Sequence, residues 1–545
     1  MKRQIFWIVF SSLALLLSGA VWADNHDPVL PGPKLRGQAE GLGMGSLITT
    51  AVLATPKKKD VNGNDIPGTG GDVVVWGFRG SGQSGNYDYN GGTDVVDATL
   101  NDTIPRLESV GAFSKDTSHP LYSQKVIRLY TTAYTLSALT EEGELWTWGN
   151  TDYGTSGCWG NTSSKYQGST QARQGRPCPA FGPITGEGIK KKVAFTSGGE
   201  YNMIAITDGG EVYSWGWNNF GQITNLGASV SQRTPVNITK FFGGEQVILA
   251  GGAYESQYAV SVDKNGKYTL WGWGRNFACG LAGATSASST NIPVRMHAYD
   301  NYAKDIVYVN GGYAWTVVLL SDGRVLTNGM TRHLGIGNGS STSGVCAPQL
   351  IMGPGTKYPA VTKLQARYAG AVAYSPDDPQ AIYTWGWTGG SAFDQTYGPY
   401  PTRHQTTGIV KSIGSSKETV YYLTEDSKLY GFGYTSIHTL NLCSDSITSW
   451  DVAAGIYRTN SSMEWYTKNR NSAVPVPGGR RIPYEDWTDV VASKATGRTY
   501  PSWVTLAKEP HCSGNISSGD YAGRPRSTFR PWTPYDDNRD GLGSP

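Results

Sequence analysis

The chain has 545 residues, 71 of them glycine, with 16% charged, 38% hydrophobic and a formal net charge of +3. So few charges exclude a highly charged disordered chain, and so small a net charge gives no global attraction to nucleic acid or anionic membrane. Glycine stands well above its usual share of about 7% without a collagen-like period, which fits a fold with many tight turns.

Residues 1–23 read as a secretory signal peptide. Lys2 and Arg3 form the positive start, and the apolar stretch from Ile5 to Leu17 is short for a transmembrane span. Val21-Trp22-Ala23 supplies the cleavage positions before Asp24. Loss of the two cations would bring the formal charge to +1. No cysteine follows the apolar stretch, so a lipid-modified amino terminus is not expected. No later run of about 18 apolar residues suggests a membrane span. The expected location is periplasmic or extracellular. Residues 24–44, with Pro28, Pro31 and Pro33, read as a linker.

From residue 45 to 506 one unit recurs. Its clearest copy begins at Val193-Ala-Phe-Thr-Ser-Gly-Gly and continues through Met203-Ile-Ala-Ile-Thr-Asp-Gly209 to Val212-Tyr-Ser-Trp-Gly216. Short apolar runs bounded by Gly-Gly and Asp-Gly turns mean strands rather than helices. The last element returns as Val73-Val-Val-Trp-Gly77, Leu145-Trp-Thr-Trp-Gly149, Tyr268-Thr-Leu-Trp-Gly272, Val325-Leu-Thr-Asn-Gly329, Ile382-Tyr-Thr-Trp-Gly386 and Leu429-Tyr-Gly-Phe-Gly433. Successive final glycines lie 72, 67, 56, 57, 57 and 47 residues apart. Such a period suits propeller blades, none of which can bury its own faces alone. Asn328 and Phe432 stand where the other copies carry Trp.

The unit resembles the regulator of chromosome condensation repeat, most closely over residues 193–222, Leu139 to Gly157 and Leu319 to Gly337. The resemblance implies an all-β, seven-bladed β-propeller. Asp486-Trp-Thr-Asp-Val-Val-Ala-Ser493 and Ser502-Trp-Val-Thr-Leu506 look like the opening half of a repeat with no Trp-Gly strand after it. The first copy has the opposite defect. Ring closure by amino- and carboxy-terminal segments accounts for both, and closing the ring removes exposed strand edges. Which strands pair stays open.

Three long insertions, 87–120, 150–188 and 434–485, follow the Trp-Gly strands of blades one, two and seven. They are expected to cluster on one side of the ring. Tyr87, Tyr89, Tyr153, Trp159, Tyr166, Trp465 and Tyr466 would give that side an aromatic binding surface. For Trp217 and Phe220, inside the repeat, core packing is expected. Asp60-Val-Asn-Gly-Asn-Asp65 and Asp536-Asp-Asn-Arg-Asp-Gly541 resemble parts of calcium loops. The first is read as a turn and the second as part of a Gly/Pro-rich tail, 507–545, so no metal site is expected. Lys57-Lys-Lys59 and Lys190-Lys-Lys192 read as solvated surface.

Six cysteines in an exported chain suggest disulfides, expected as Cys158–Cys178, Cys279–Cys346 and Cys443–Cys512. No catalytic motif is present: no G-x-S-x-G, no H-E-x-x-H, no phosphate loop, and no cofactor is expected. The sequence therefore points to an exported, non-catalytic recognition protein, adhesin-like or a protein-interaction propeller. Its partner would be an unknown protein or glycan at the envelope or outside the cell. The alternative is a carbohydrate-active hydrolase or lyase, whose site would be assembled from distant loops. The resemblance also raises nucleotide exchange on a small GTPase, which an exported chain would not meet in its own cytoplasm.

Overall fold

The computed structural model describes residues 49–54, 72–78 and 103–110, most of 121–433, and then 456–459, 464–467, 474–475 and 487–492. The described strands form seven four-stranded antiparallel sheets and one two-stranded hairpin. The third sheet shows the plan: Val193–Gly198, Asn202–Thr207, Val212–Gly216 and Gln232–Asn237 run up and down as neighbours. The first three strands are buried along their length. Other sheets cover both of their faces, so they read as apolar runs rather than strict alternation. The fourth strand lies at the outer edge and is largely solvent-facing.

Sheets two, four, five and six repeat this order. They open with Val126–Thr131, Gln246–Gly252, Ile306–Gly312 and Lys363–Arg367. Opening strands of successive sheets pack on one another around the ring. The seventh sheet joins Val410–Ser415, Thr419–Thr424 and Leu429–Gly433 to the short edge strand Val474–Pro475. All seven outer strands contain proline: Pro105, Pro177, Pro235, Pro293, Pro348, Pro399 and Pro475. Proline lacks the N–H that an exposed edge would offer to another strand.

The three long insertions are thus not purely loops. Each contains its blade's outer strand: Thr103–Val110, Arg173–Phe181 and Val474–Pro475. The third also carries the hairpin Ile456–Thr459 and Glu464–Thr467.

Closure follows the expected scheme for the first carboxy-terminal segment and resolves its pairing, while Ser502 to Leu506 lie outside the described residues. Trp487–Ala492 lies antiparallel to Thr49–Ala54, with Val490 opposite Val52. Asp72–Phe78 and Thr103–Val110 complete that sheet outward. The first blade therefore takes its innermost strand from the far end of the sequence. This strand packs between the opening strands of sheets seven and two.

Adjacent blades are bonded through the Trp-Gly strands. The indole N–H of Trp215 donates to the Thr155 carbonyl of the preceding blade at 2.9 Å, and Trp273 does the same to Gln222 at 2.6 Å, so the fourth blade's Trp-Gly is Trp273-Gly274, two residues beyond the Trp271-Gly272 expected from the sequence. Both rings are fully buried. In the fifth blade Asn328 keeps the donor: its amide N–H reaches the Cys279 carbonyl of the fourth blade at 2.8 Å. Tyr299, also fully buried, donates its hydroxyl to the Asn328 side-chain oxygen at 2.6 Å. Asn328 with Tyr299 is therefore a compensated replacement of the tryptophan.

Two of the expected disulfides are present, Cys158–Cys178 and Cys279–Cys346. The first ties the second blade to its own outer strand. The second joins the fourth blade to the outer strand of the fifth, Val345–Met352. Cys443 and Cys512 lie outside the described residues.

Deleting residues 487–492 should abolish the single cooperative thermal transition of the ring; an unchanged transition would show that this strand is dispensable. Trp273→Ala should cost about 3–5 kcal/mol in urea unfolding. Asn328→Trp, which restores the repeat's usual residue, should destabilise by about 1–3 kcal/mol, because Tyr299 already fills the space.

Candidate recognition face

In an up-and-down blade, the turn between strands one and two lies at the same edge as the connection from strand three to strand four. The pairings place the two-residue turns Glu200-Tyr201, Tyr254-Glu255 and Tyr313-Ala314 at this edge in blades three to five. Successive turns are stitched together by backbone bonds. Glu200 N–H donates to the Ala253 carbonyl at 3.3 Å, and Tyr254 N–H to the Gly312 carbonyl at 3.1 Å. The approach is so close that a Cβ on Gly199 would lie 1.7 Å from the Ala253 oxygen, and one on Gly251 would lie 1.8 Å from that of Val309. The Gly-Gly breaks are therefore required by contact between blades.

The chain leaving each third strand folds back onto the turn. Trp217 N–H donates to the Tyr201 carbonyl at 2.7 Å, and Arg275 N–H to the Glu255 carbonyl at 2.9 Å. These bonds assemble a row of rings. Tyr153 packs on Tyr201 with centroids 4.5 Å apart, Tyr201 on Tyr254 at 5.1 Å, and Tyr254 on Tyr313 at 5.3 Å. Trp217 leans edge-on against Tyr201 at 5.4 Å and Phe220 at 5.9 Å. Tyr201 is buried, whereas Tyr153, Trp217, Phe220, Tyr254 and Tyr313 are half-buried.

The row continues into a cationic cage. The Arg275 guanidinium lies 4.7 Å from the Phe220 centroid and 5.0 Å from that of Phe277, which is 45% exposed. Arg275 is ion-paired with Glu255, whose residue is only 6% exposed. Burial pushes the Glu255 carboxyl above its ordinary range, and the Arg275 guanidinium opposes that shift without cancelling it. The pair closes on itself, so the cage presents a guanidinium already neutralised.

Tyr153 of the sequence-predicted aromatic surface belongs to this row. Trp465 and Tyr466 fall on the strand Glu464–Thr467, where only the backbone is described. Tyr87, Tyr89, Trp159 and Tyr166 lie outside the described residues. Trp217 and Phe220, expected in the core, instead stand half-buried on this face. The sequence analysis also missed Tyr201, Tyr254, Tyr313 and Arg275. A signal was present in the sequence: a tyrosine also stands between the first two strands of blades two and six, Tyr134 and Tyr368, both outside the described residues.

The fold is a β-propeller, and one edge of its ring carries a row of packed aromatic side chains. The regulator of chromosome condensation (RCC1) repeat matches residues 192–222 and 209–254. The chain is a β-propeller that carries this repeat within residues 192–254. It is 26% identical over 282 residues to the ultraviolet-B receptor UVR8 of Arabidopsis thaliana, covering 51% of this chain and 60% of that one. It is 34% identical over 164 residues to the probable E3 ubiquitin-protein ligase HERC6 of Homo sapiens, covering 29% of this chain and 15% of that one. The chain thus spans less than two thirds of either relative. Among solved structures, Prp20p of Saccharomyces cerevisiae superposes with a TM-score of 0.53 at 13% identity, over 82% of this chain and 90% of that one. Human WBSCR16 gives 0.51 at 20% identity, over 68% and 83%.

The raised Glu255 pKa has a signed consequence. Its contribution to stability is fully present below the ordinary value of 4.5 and is lost as pH rises through the folded value. The stability of the native protein relative to Glu255→Gln should therefore decline as pH rises from about 4.5 and then level off. A difference that grows with pH in denaturant titrations would overturn this assignment.

Proposed function

We propose that the chain is an exported, non-catalytic recognition protein that engages a partner at the cell envelope or outside the cell. The observation that carries this reading is the half-exposed aromatic row, fixed by backbone bonds between blades. Rigid aromatic side chains provide large contact area at little entropic cost, and such residues dominate binding energies. Prp20p, whose propeller superposes on this one, binds Gsp1p and histones, which supports interaction as a use of this fold. Export rests on the leader-like residues 1–23 and on cysteine pairing, Cys158–Cys178 and Cys279–Cys346, suited to an oxidising compartment.

Two measurements test the proposal. The mature protein should begin at Asp24 and be recovered outside the cytoplasm. Immobilised protein should retain a component of envelope extracts, and Trp217→Ala with Tyr254→Ala should reduce that retention at least about tenfold, with a similar melting temperature. An intact Met1 on a cytoplasmic pool, or retention indifferent to the two rings, would overturn it.

A further inference from the structure

The charge and geometry of the aromatic row point to the chemical class of its ligand. This inference rests on the recognition reading and concerns the same face. We infer that the row from Tyr153 through Tyr201 and Tyr254 to Tyr313, flanked by Trp217, is a platform for an uncharged carbohydrate chain.

Charge comes first. Proteins that hold single-stranded nucleic acid on stacked rings pair them with a positive groove. Here the cation beside the row, Arg275, is held by the buried Glu255 and covered by Phe220 and Phe277. An anionic ligand would have to break that pair, leaving a buried carboxylate without its cation, which is costly. A cationic ligand would find the Glu255 carboxylate already engaged by Arg275. The complementary ligand therefore carries no net charge.

Spacing comes second. A proline-rich peptide in the polyproline II form repeats a face about every 9 Å, three residues at roughly 3.1 Å each, and docks in separated aromatic slots. The row has neighbouring centroids 4.5, 5.1 and 5.3 Å apart, each ring closing against the next. Successive ring planes turn by 50°, 87° and 74°, so the row is a continuous ridge of alternating ring faces and edges, seated on the buried Tyr201, with no slot between rings. A pyranose chain suits such a ridge. Each sugar has a flat C–H face that gains dispersion contact with a ring, and a rim of hydroxyls that stays in water. Tyr and Trp, apolar in body and polar at one end, match that division.

The arrangement of rings also implies extent. The row crosses blades two to five, so it offers several adjacent sugar positions rather than a single pocket. Affinity should rise with the number of linked sugars until the row is covered.

The test uses the full mature chain and titration calorimetry with neutral β-linked glucose oligomers of two, four and six sugars. An oligogalacturonate, a proline-rich decapeptide and oligo-dT serve as the other arms. The inference expects binding of the neutral oligomers, tightening at least about tenfold from two to six sugars. It also expects little effect of salt. Tyr254→Ala and Trp217→Ala should each weaken the hexamer at least about tenfold, while Trp217→Phe, which keeps a ring, should retain most of the affinity. Preferential binding of the acid, the decapeptide or the oligonucleotide overturns the inference, as does hexamer binding unaffected by these variants. Absence of hexamer binding with ring-dependent retention of an envelope protein overturns the carbohydrate assignment and leaves the recognition reading standing. Absence of both overturns the two together.

Discussion

The architecture depends on how closely the innermost strands of neighbouring blades approach. At Gly199 and Gly251 a single added carbon would lie within 2 Å of a carbonyl oxygen on the next blade. Only because those side chains are missing can Glu200 and Tyr254 donate their N–H groups across the gap. These bonds fix one turn against the next, and the turns carry the rings. The ring separations on the face are thus set by backbone contact inside the wheel, and the surface inherits the rigidity of the scaffold.

A second set of contacts works further out. The buried tryptophans of blades three and four each donate to a carbonyl of the blade before, and Asn328 with Tyr299 keeps that bond with a different distribution of volume. What the repeat demands is a donor at one point and a filled space around it. An indole satisfies both at once. An amide of the fifth blade and a phenol from the connection that leads into it satisfy them jointly. A buried donor left unpaired would cost about 1–3 kcal/mol, which explains why the replacement retains the hydrogen bond.

Much of the scaffold was legible in the residues. Trp-Gly strands, Asp-Gly turns and Gly-Gly breaks marked three strands in the clearest copies, and the orphan segment at 486–493 marked closure. The fourth strands were not read. Gln232–Asn237 is polar and contains proline, because an outer edge is wetted and must not recruit another chain. Recurrent proline is their signature, but proline usually argues against a strand. The disulfides between Cys158 and Cys178 and between Cys279 and Cys346 matched the expected pairing. The face was only partly legible. Tyr153 was identified, but Tyr201, Tyr254 and Tyr313 sit in turns two residues long, where a single tyrosine resembles ordinary loop composition. Arg275 meets Glu255, Phe220, Phe277 and Tyr313 only through the fold.

The pairing of Val52 with Val490 also governs the order in which the protein comes into being. A ribosome releases the amino-terminal three strands of the first blade long before their innermost partner exists. Until residues 487–492 arrive, the first blade lacks its inner strand and the seventh lacks a neighbour, so both present strand edges or apolar faces to their surroundings. The contact that completes the wheel is among the most distant in the sequence, and such contacts form late because loop-closure entropy must be overcome first. Completion is therefore a late event. The wheel cannot close until the strand at 487–492 has been made and is free to reach residues 49–54.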